Sequence, residues 1–84
     1  MTLNRFKNPI EKVAEELSKR LKVKGYYACV TGSSVEIYRL GDRKAFKNLK
    51  AAIHCKDYIS WGANENLKPR LEKFILNVLE EIGE

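Results

Sequence analysis

The chain has 84 residues, of which 44% are hydrophobic and 32% charged, and its formal net charge is +5. This balance is typical of a single folded domain spanning residues 1–84, so we expect neither a disordered chain nor a second domain. A chain of this size buries only about 60–65% of the surface that its unfolded form exposes, so its core is thin. Because that leaves no room for the deep cleft that most enzymes use, we expect no enzyme.

Targeting signals are missing from the sequence. No apolar run approaches the ~20 residues of a membrane-spanning helix, and residues 1–9 lack the apolar stretch of a signal peptide. We therefore expect a cytoplasmic protein without a membrane partner. Glutamine is absent, and lysine and glutamate together supply 20 residues, a composition typical of proteins from hot environments. Because some hyperthermophiles keep disulfides inside the cell, Cys29 and Cys55 are left open between free thiols and a disulfide.

The first periodic segment, residues 8–24, predicts an amphipathic helix. Its apolar residues recur at spacings of three and four, which places them in one stripe. Asn8 is the predicted N-cap, Pro9 the first helical residue, and Gly25 the residue that ends the helix. The stripe consists of Ile10, Val13, Ala14, Leu17 and Leu21.

Two β-rich runs, residues 26–31 and 34–40, flank Gly32-Ser33 and predict a tight hairpin with Gly32 first in a type II′ turn. Pairing Thr31 with Ser34 gives the hairpin one apolar face and one mixed face, since cross-strand partners share a face. The apolar face, assigned to the core, contains Ala28, Val30, Val35 and Ile37, and the mixed face contains Tyr27, Cys29, Glu36 and Tyr38.

Residues 45–61 fit two interpretations. The alternation of residues 49–55 is that of a strand, but the apolar residues between 45 and 54 also fit one stripe of a helix, and periodicity does not separate the two. We favour a third strand over residues 49–55 that continues past an irregularity at Lys56-Asp57, because an isolated two-stranded hairpin is only marginally stable. Phe46 is either a core anchor, which we favour, or an exposed contact.

A final helix begins at a cap residue, either Asn64 or Asn66, and extends to about Ile82, with Pro69 in its first turn. Both helices are apolar on one side, so each must cover another element. The sequence therefore predicts an α+β fold: a two-layer αβββα sandwich, with the N- and C-terminal helices on one face of a three-stranded antiparallel sheet. The other face of the sheet, called the open face below, would be uncovered.

The open face and the segment after the second strand contain the candidate site. Adjacent aromatic rings flanked by cations suit base stacking and phosphate binding. Residues 39–56 contain six basic side chains and one acidic side chain, Asp42. The alternatives are solvated strand tyrosines and a solvated turn. The candidate nucleic-acid-binding residues are Tyr27, Tyr38, Arg39, Arg43, Lys44, Lys47, Lys50, His54 and Lys56.

The sequence contains no specific catalytic or metal motif. Cys29, His54 and Cys55 lack the spacing of metal ligands, and we expect neither a metal nor a cofactor. Two functions stay open. The first is a small basic protein that binds DNA or RNA through backbone charge and aromatic stacking, without strong sequence readout. The second is a protein-interaction module or homodimer that uses the open face.

Overall fold

The computed structural model describes residues 5–84, which form an α+β fold of helices around one antiparallel sheet. In chain order the main elements are α1 (Ile10–Leu21), β1 (Tyr26–Thr31), β2 (Ser34–Arg39), β3 (Ala51–Cys55), β4 (Tyr58–Ser60) and α2 (Lys68–Glu81). The strands lie in the sheet in the order β1-β2-β3-β4, so each strand pairs with its neighbours in sequence. Short 3₁₀ helices occupy Lys22–Lys24, Phe46–Asn48 and Gly62–Leu67.

The predicted α+β class and the N- and C-terminal helices are confirmed, but the prediction of three strands is wrong, because the sheet has four within residues 5–84. The long third strand is in fact a hairpin around Lys56-Asp57, where Cys55 pairs with Tyr58. Since Ile53 pairs with Ile59, one extra residue of β3 lies between these pairs as a bulge. Neither turn residue is a glycine, so the sequence lacks the usual signal for a tight hairpin.

The connection before β3 combines both interpretations of this segment. Residues Phe46–Asn48 form one turn of 3₁₀ helix, and the strand begins at Ala51, two residues later than predicted. The helix interpretation is therefore correct only for a single turn. Phe46, which lies before the strand, does not enter the core.

The first hairpin has the predicted register: Thr31 pairs with Ser34, and the pairing continues to Tyr26 and Arg39. Gly32 has φ of 60°, and Ser33 has no positive φ, as a type II′ turn requires. Gly25, with φ of 90°, ends the first helical segment as predicted.

The beginning of α1 differs from the prediction. Pro9 occupies the N-cap position, and its carbonyl accepts hydrogen bonds from the N–H groups of Lys12 and Val13. The Asn8 side chain instead donates to the Ile82 carbonyl at 2.8 Å and to the Glu84 carboxylate at 2.7 Å. Asn8 therefore links the start of α1 to the end of α2.

The core lies between the helices and the sheet face formed by Val35, Ile37, Ala51 and Ile53. The apolar stripes of both helices belong to the same cluster, so both helices cover this face and leave the open face to solvent and to the loops. The helical members of the core are Val13, Ala14, Leu17, Leu21, Leu71, Ile75, Val78 and Leu79.

One residue on the free edge of β1, Ala28, has its backbone groups bonded by α1. The Ser18 hydroxyl donates to the Ala28 carbonyl and accepts from the Ala28 N–H, both at 2.7 Å. An edge strand whose backbone groups are occupied in this way offers less for another strand to pair with. Within residues 5–84, no helix combines the length and the apolar character needed to cross a membrane.

Candidate nucleic-acid interface

Tyr27 and Tyr38 lie side by side on the open face, as predicted, with ring centroids 5.7 Å apart and an interplanar angle of 25°. The Tyr38 hydroxyl donates to Glu36 and the Tyr27 hydroxyl donates to the Asp42 carbonyl, each at 2.8 Å. Burial raises the pKa of the Tyr38 phenol, and the bond to Glu36 raises it further. Only 3% of Tyr38 is exposed. The structure thus takes Tyr38 out of the candidate stacking surface, because its ring already stacks within the protein.

The most accessible aromatic rings are not those of Tyr27 and Tyr38. Phe46 is 90% exposed and Tyr58 is 53% exposed, so the expectation that Phe46 anchors the core is wrong. The physical reason is that the single 3₁₀ turn at Phe46–Asn48 lies outside the sheet, while the core beyond the strand ends is filled by Trp61, which is 5% exposed. Tyr58 was missed because its place on the open face depends on the hairpin at Lys56-Asp57.

The connection from β2 to β3 contains most of the predicted cations. Arg39, Arg43, Lys44 and Lys47 are exposed and Lys50 is half-buried. None of the five forms an ion pair with a described residue, since the ion pairs of residues 5–84 involve other cations. These side chains therefore have no ion-pair partner among residues 5–84.

The backbone of this connection is held in place by hydrogen bonds. Besides the bond from Tyr27 to Asp42, the Asn48 side chain donates to the Arg43 carbonyl at 3.1 Å. The Asn64 side chain donates to the Leu49 carbonyl at 2.9 Å. The charged side chains thus project from an ordered frame, which lowers the entropy lost when they bind a partner.

The structure adds two cations to this end of the sheet. A hollow of about 450 Å³ is lined by Lys24, Arg39 and Arg70 together with apolar and aromatic residues, and no acidic residue lines it. The positive charge at the end of the first helix indicates Lys24 as a candidate. No sequence pattern indicates Arg70, because its approach to Arg39 depends on how α2 packs. We call the whole set the basic end: Lys24, Arg39, Arg43, Lys44, Lys47, Lys50 and Arg70.

His54 and Lys56 are not brought to the basic end. Lys56 follows Lys50 by six positions, which corresponds to roughly 20 Å along a strand. The His54 Nδ1 atom is hydrogen-bonded to the Ser34 hydroxyl at 2.7 Å. The centroids of the His54 and Tyr58 rings lie 4.5 Å apart. No carboxylate among the described residues hydrogen-bonds this histidine, so the pair lacks the orienting acid of a nucleophilic triad.

The two thiols are free and half-buried. Cys29 lies on β1 and Cys55 on β3, so two strand spacings, or about 10 Å, separate the strands, which is too far for a disulfide. Burial is the main cause that raises the pKa of the Cys29 thiol and so disfavours the reactive thiolate. Within residues 5–84, no three His, Cys, Asp or Glu side chains are grouped so that they could hold a metal ion.

Comparison of the chain with protein-family models, with curated proteins and with solved structures finds no match. Function must therefore be argued from the site itself.

Proposed function

We propose that this chain binds nucleic acid through phosphate contacts at the basic end, without strong sequence readout. The observation that supports this most is the concentration there of seven cations that form no ion pair with a described residue, beside an exposed Phe46. Exposed lysine and arginine neutralise phosphates and release their counterions.

Phe46 would contribute stacking. An aromatic ring stacks on any base, at about 1–3 kcal/mol per base, so it adds affinity without selecting a sequence. The proposal therefore replaces the Tyr27–Tyr38 pair with Phe46 as the ring that contacts a base, and it keeps the cations of the β2–β3 connection.

The salt dependence of binding follows from the number of contacts. If all seven cations contact phosphates, log K against log salt should have a slope of about −5 for a single strand, at ~0.7 per contact. The measurement is fluorescence anisotropy of labelled single- and double-stranded DNA and RNA at several salt concentrations.

The decisive variant reverses two charges of the connection, Arg43→Glu with Lys44→Glu. Its control is Lys12→Glu with Lys73→Glu, two exposed lysines on α1 and α2. Each exchange removes two units of charge, so both double variants have a formal net charge of +1 instead of +5. We expect roughly tenfold or greater loss of affinity for the first variant, with a slope shallower by about 1.4 on a single strand.

Two outcomes would overturn the proposal. One is an equal loss of affinity in both double variants, which would show a general charge effect without a site. The other is no binding of any nucleic acid at low salt. In the second case, light scattering at high protein concentration tests the protein-interaction or homodimer alternative on the open face.

A further inference from the structure

A cleft lies beside the basic end, between the segment before β3 and the segment after β4. It has a volume of about 370 Å³, near the lower limit of ligand pockets, so it suits one small planar group. Phe46, Leu49 and Trp61 give it apolar and aromatic walls, and Lys47 and Lys50 place two cations in its lining.

The walls of the cleft are joined to each other. Asn64, in the segment after β4, donates through its side chain to the Leu49 carbonyl of the opposite wall at 2.9 Å. The cleft is therefore formed before any ligand arrives, which favours binding because little needs to be ordered.

Trp61 supplies the second observation. It is 5% exposed, and its indole N–H is buried without a hydrogen-bond acceptor among the described residues. Buried polar groups in folded proteins are almost always paired, so a ligand that brings an acceptor to this donor gains an interaction that the free protein lacks.

We propose that this cleft binds one unpaired nucleobase of a single strand, which names the substrate class of the proposed function and rests on it. A nucleobase is planar, so it can stack on Phe46. Its carbonyl or ring nitrogen can accept from the Trp61 N–H once the base displaces the atoms that cover this buried donor. The phosphate attached to the nucleotide would lie near Lys47 and Lys50. A base inside a duplex is already stacked and paired, so it cannot enter without being flipped out.

Another hollow of the described chain does not offer this chemistry. It has a volume of about 640 Å³ and is lined by residues 7–11 and by Gly32-Ser33. It contains no aromatic ring, and it lies beyond the opposite end of the sheet from Phe46. This hollow therefore lacks the aromatic ring and the indole donor that the cleft beside the basic end contains.

The test uses Trp61 as its own reporter, because the chain contains one tryptophan. Isotope-labelled full-length chain is titrated with a short oligothymidine, with oligouridine, and with an abasic oligomer that has the same phosphate backbone as the first. We expect the indole N–H resonance to shift with the two intact oligomers and to stay in place with the abasic one. The abasic oligomer should also bind about fivefold or more weakly, the lower limit of one base stacking on an aromatic ring.

Phe46→Ala provides the matched variant, since a side chain this exposed can be removed without disturbing the core. It should weaken intact oligomers to the affinity of the abasic oligomer, whose own affinity should not change, while Phe46→Tyr should retain the preference. Equal affinity for intact and abasic oligomers, with an unmoved indole resonance, would overturn the base cleft and leave phosphate binding standing. Failure of every oligomer to bind would overturn the proposed function itself.

Discussion

The helical layer and the basic end differ in whether their charged side chains form ion pairs. On α1, Glu16 bonds Arg20 at 2.6 Å, and Arg20 reaches Glu81 of α2 at 3.2 Å. The pKa of Glu16 lies below its ordinary value, mainly because Arg20 donates to it. The cations between β2 and β3 have no such partners among the described residues. The ion pairs of residues 5–84 thus all lie on the helices, and none of them involves a cation of the connection between β2 and β3.

The two regions also differ in their aromatic and apolar residues. Large apolar side chains on α1 are buried on one stripe, but Phe46 is almost fully exposed in the middle of the basic connection. A side chain this exposed contributes nothing to the core, and its apolar surface stays in contact with water. The difference places the residues that stabilise the fold apart from the proposed binding surface, and three predictions test this separation.

The largest expected effect is the contrast between Leu17 and Phe46. Leu17 is 0% exposed, so Leu17→Ala should destabilise the fold by about 2–5 kcal/mol, through lost burial and the cavity left behind. Phe46→Ala should change the free energy of unfolding by less than about 0.5 kcal/mol, although it removes a larger side chain. Urea denaturation of both variants measures the difference, and comparable losses would show that Phe46 has a structural role after all.

An intermediate effect is expected at the edge of the sheet. Ser18→Ala removes both hydrogen bonds to Ala28, leaving a part-buried N–H and carbonyl without that partner, and should cost about 1–2 kcal/mol. Ser33→Ala is the control, because Ser33 lies in the hairpin turn and makes no side-chain hydrogen bond to a described residue. A Ser18 variant as stable as the control would show that solvent replaces the hydroxyl at this edge.

Much of the fold follows from local sequence patterns, and the site follows less well. The stripe of α1 and the register from Thr31–Ser34 to Tyr27–Tyr38 depend on periods that a single segment reveals. The hairpin at Lys56-Asp57 has no glycine, so the local pattern predicts one continuous strand there.

The site was harder for a related reason. Charge density along the chain located Arg43 and Lys44, but accessibility depends on packing between distant segments. Tyr38 is buried although it lies on the predicted face, Phe46 is exposed although it is apolar, and Arg70 joins Arg39 only through the position of α2. The spacing of neighbouring residues predicts neither the exposure of these rings nor the approach of Arg70 to Arg39.

The smallest expected effect concerns Glu84, at the end of the molecule opposite the basic end, where both of its carboxylate oxygens accept hydrogen bonds. The Glu84 carboxylate accepts from the N–H groups of Lys7 and Asn8, each at 2.8 Å, and from the Asn8 side chain. Partial burial raises the pKa of Glu84, but these hydrogen bonds outweigh it and hold the pKa below its ordinary value. Since the folded-state pKa is the lower one, the stabilisation is complete above the ordinary value of about 4.3 and is lost as the pH falls through the folded-state pKa.

Glu84→Ala should therefore cost about 1 kcal/mol at neutral pH, because the site is partly exposed and solvent weakens its charged hydrogen bonds. The cost should shrink as the pH falls from the ordinary pKa through the lower folded-state pKa, where the native carboxylate itself becomes protonated. Thermal unfolding of both proteins across this range measures it. A pH-independent difference would mean that Glu84 acts by packing, and the contrast with the unpaired cations of the basic end would then rest on the α1 ion pairs alone.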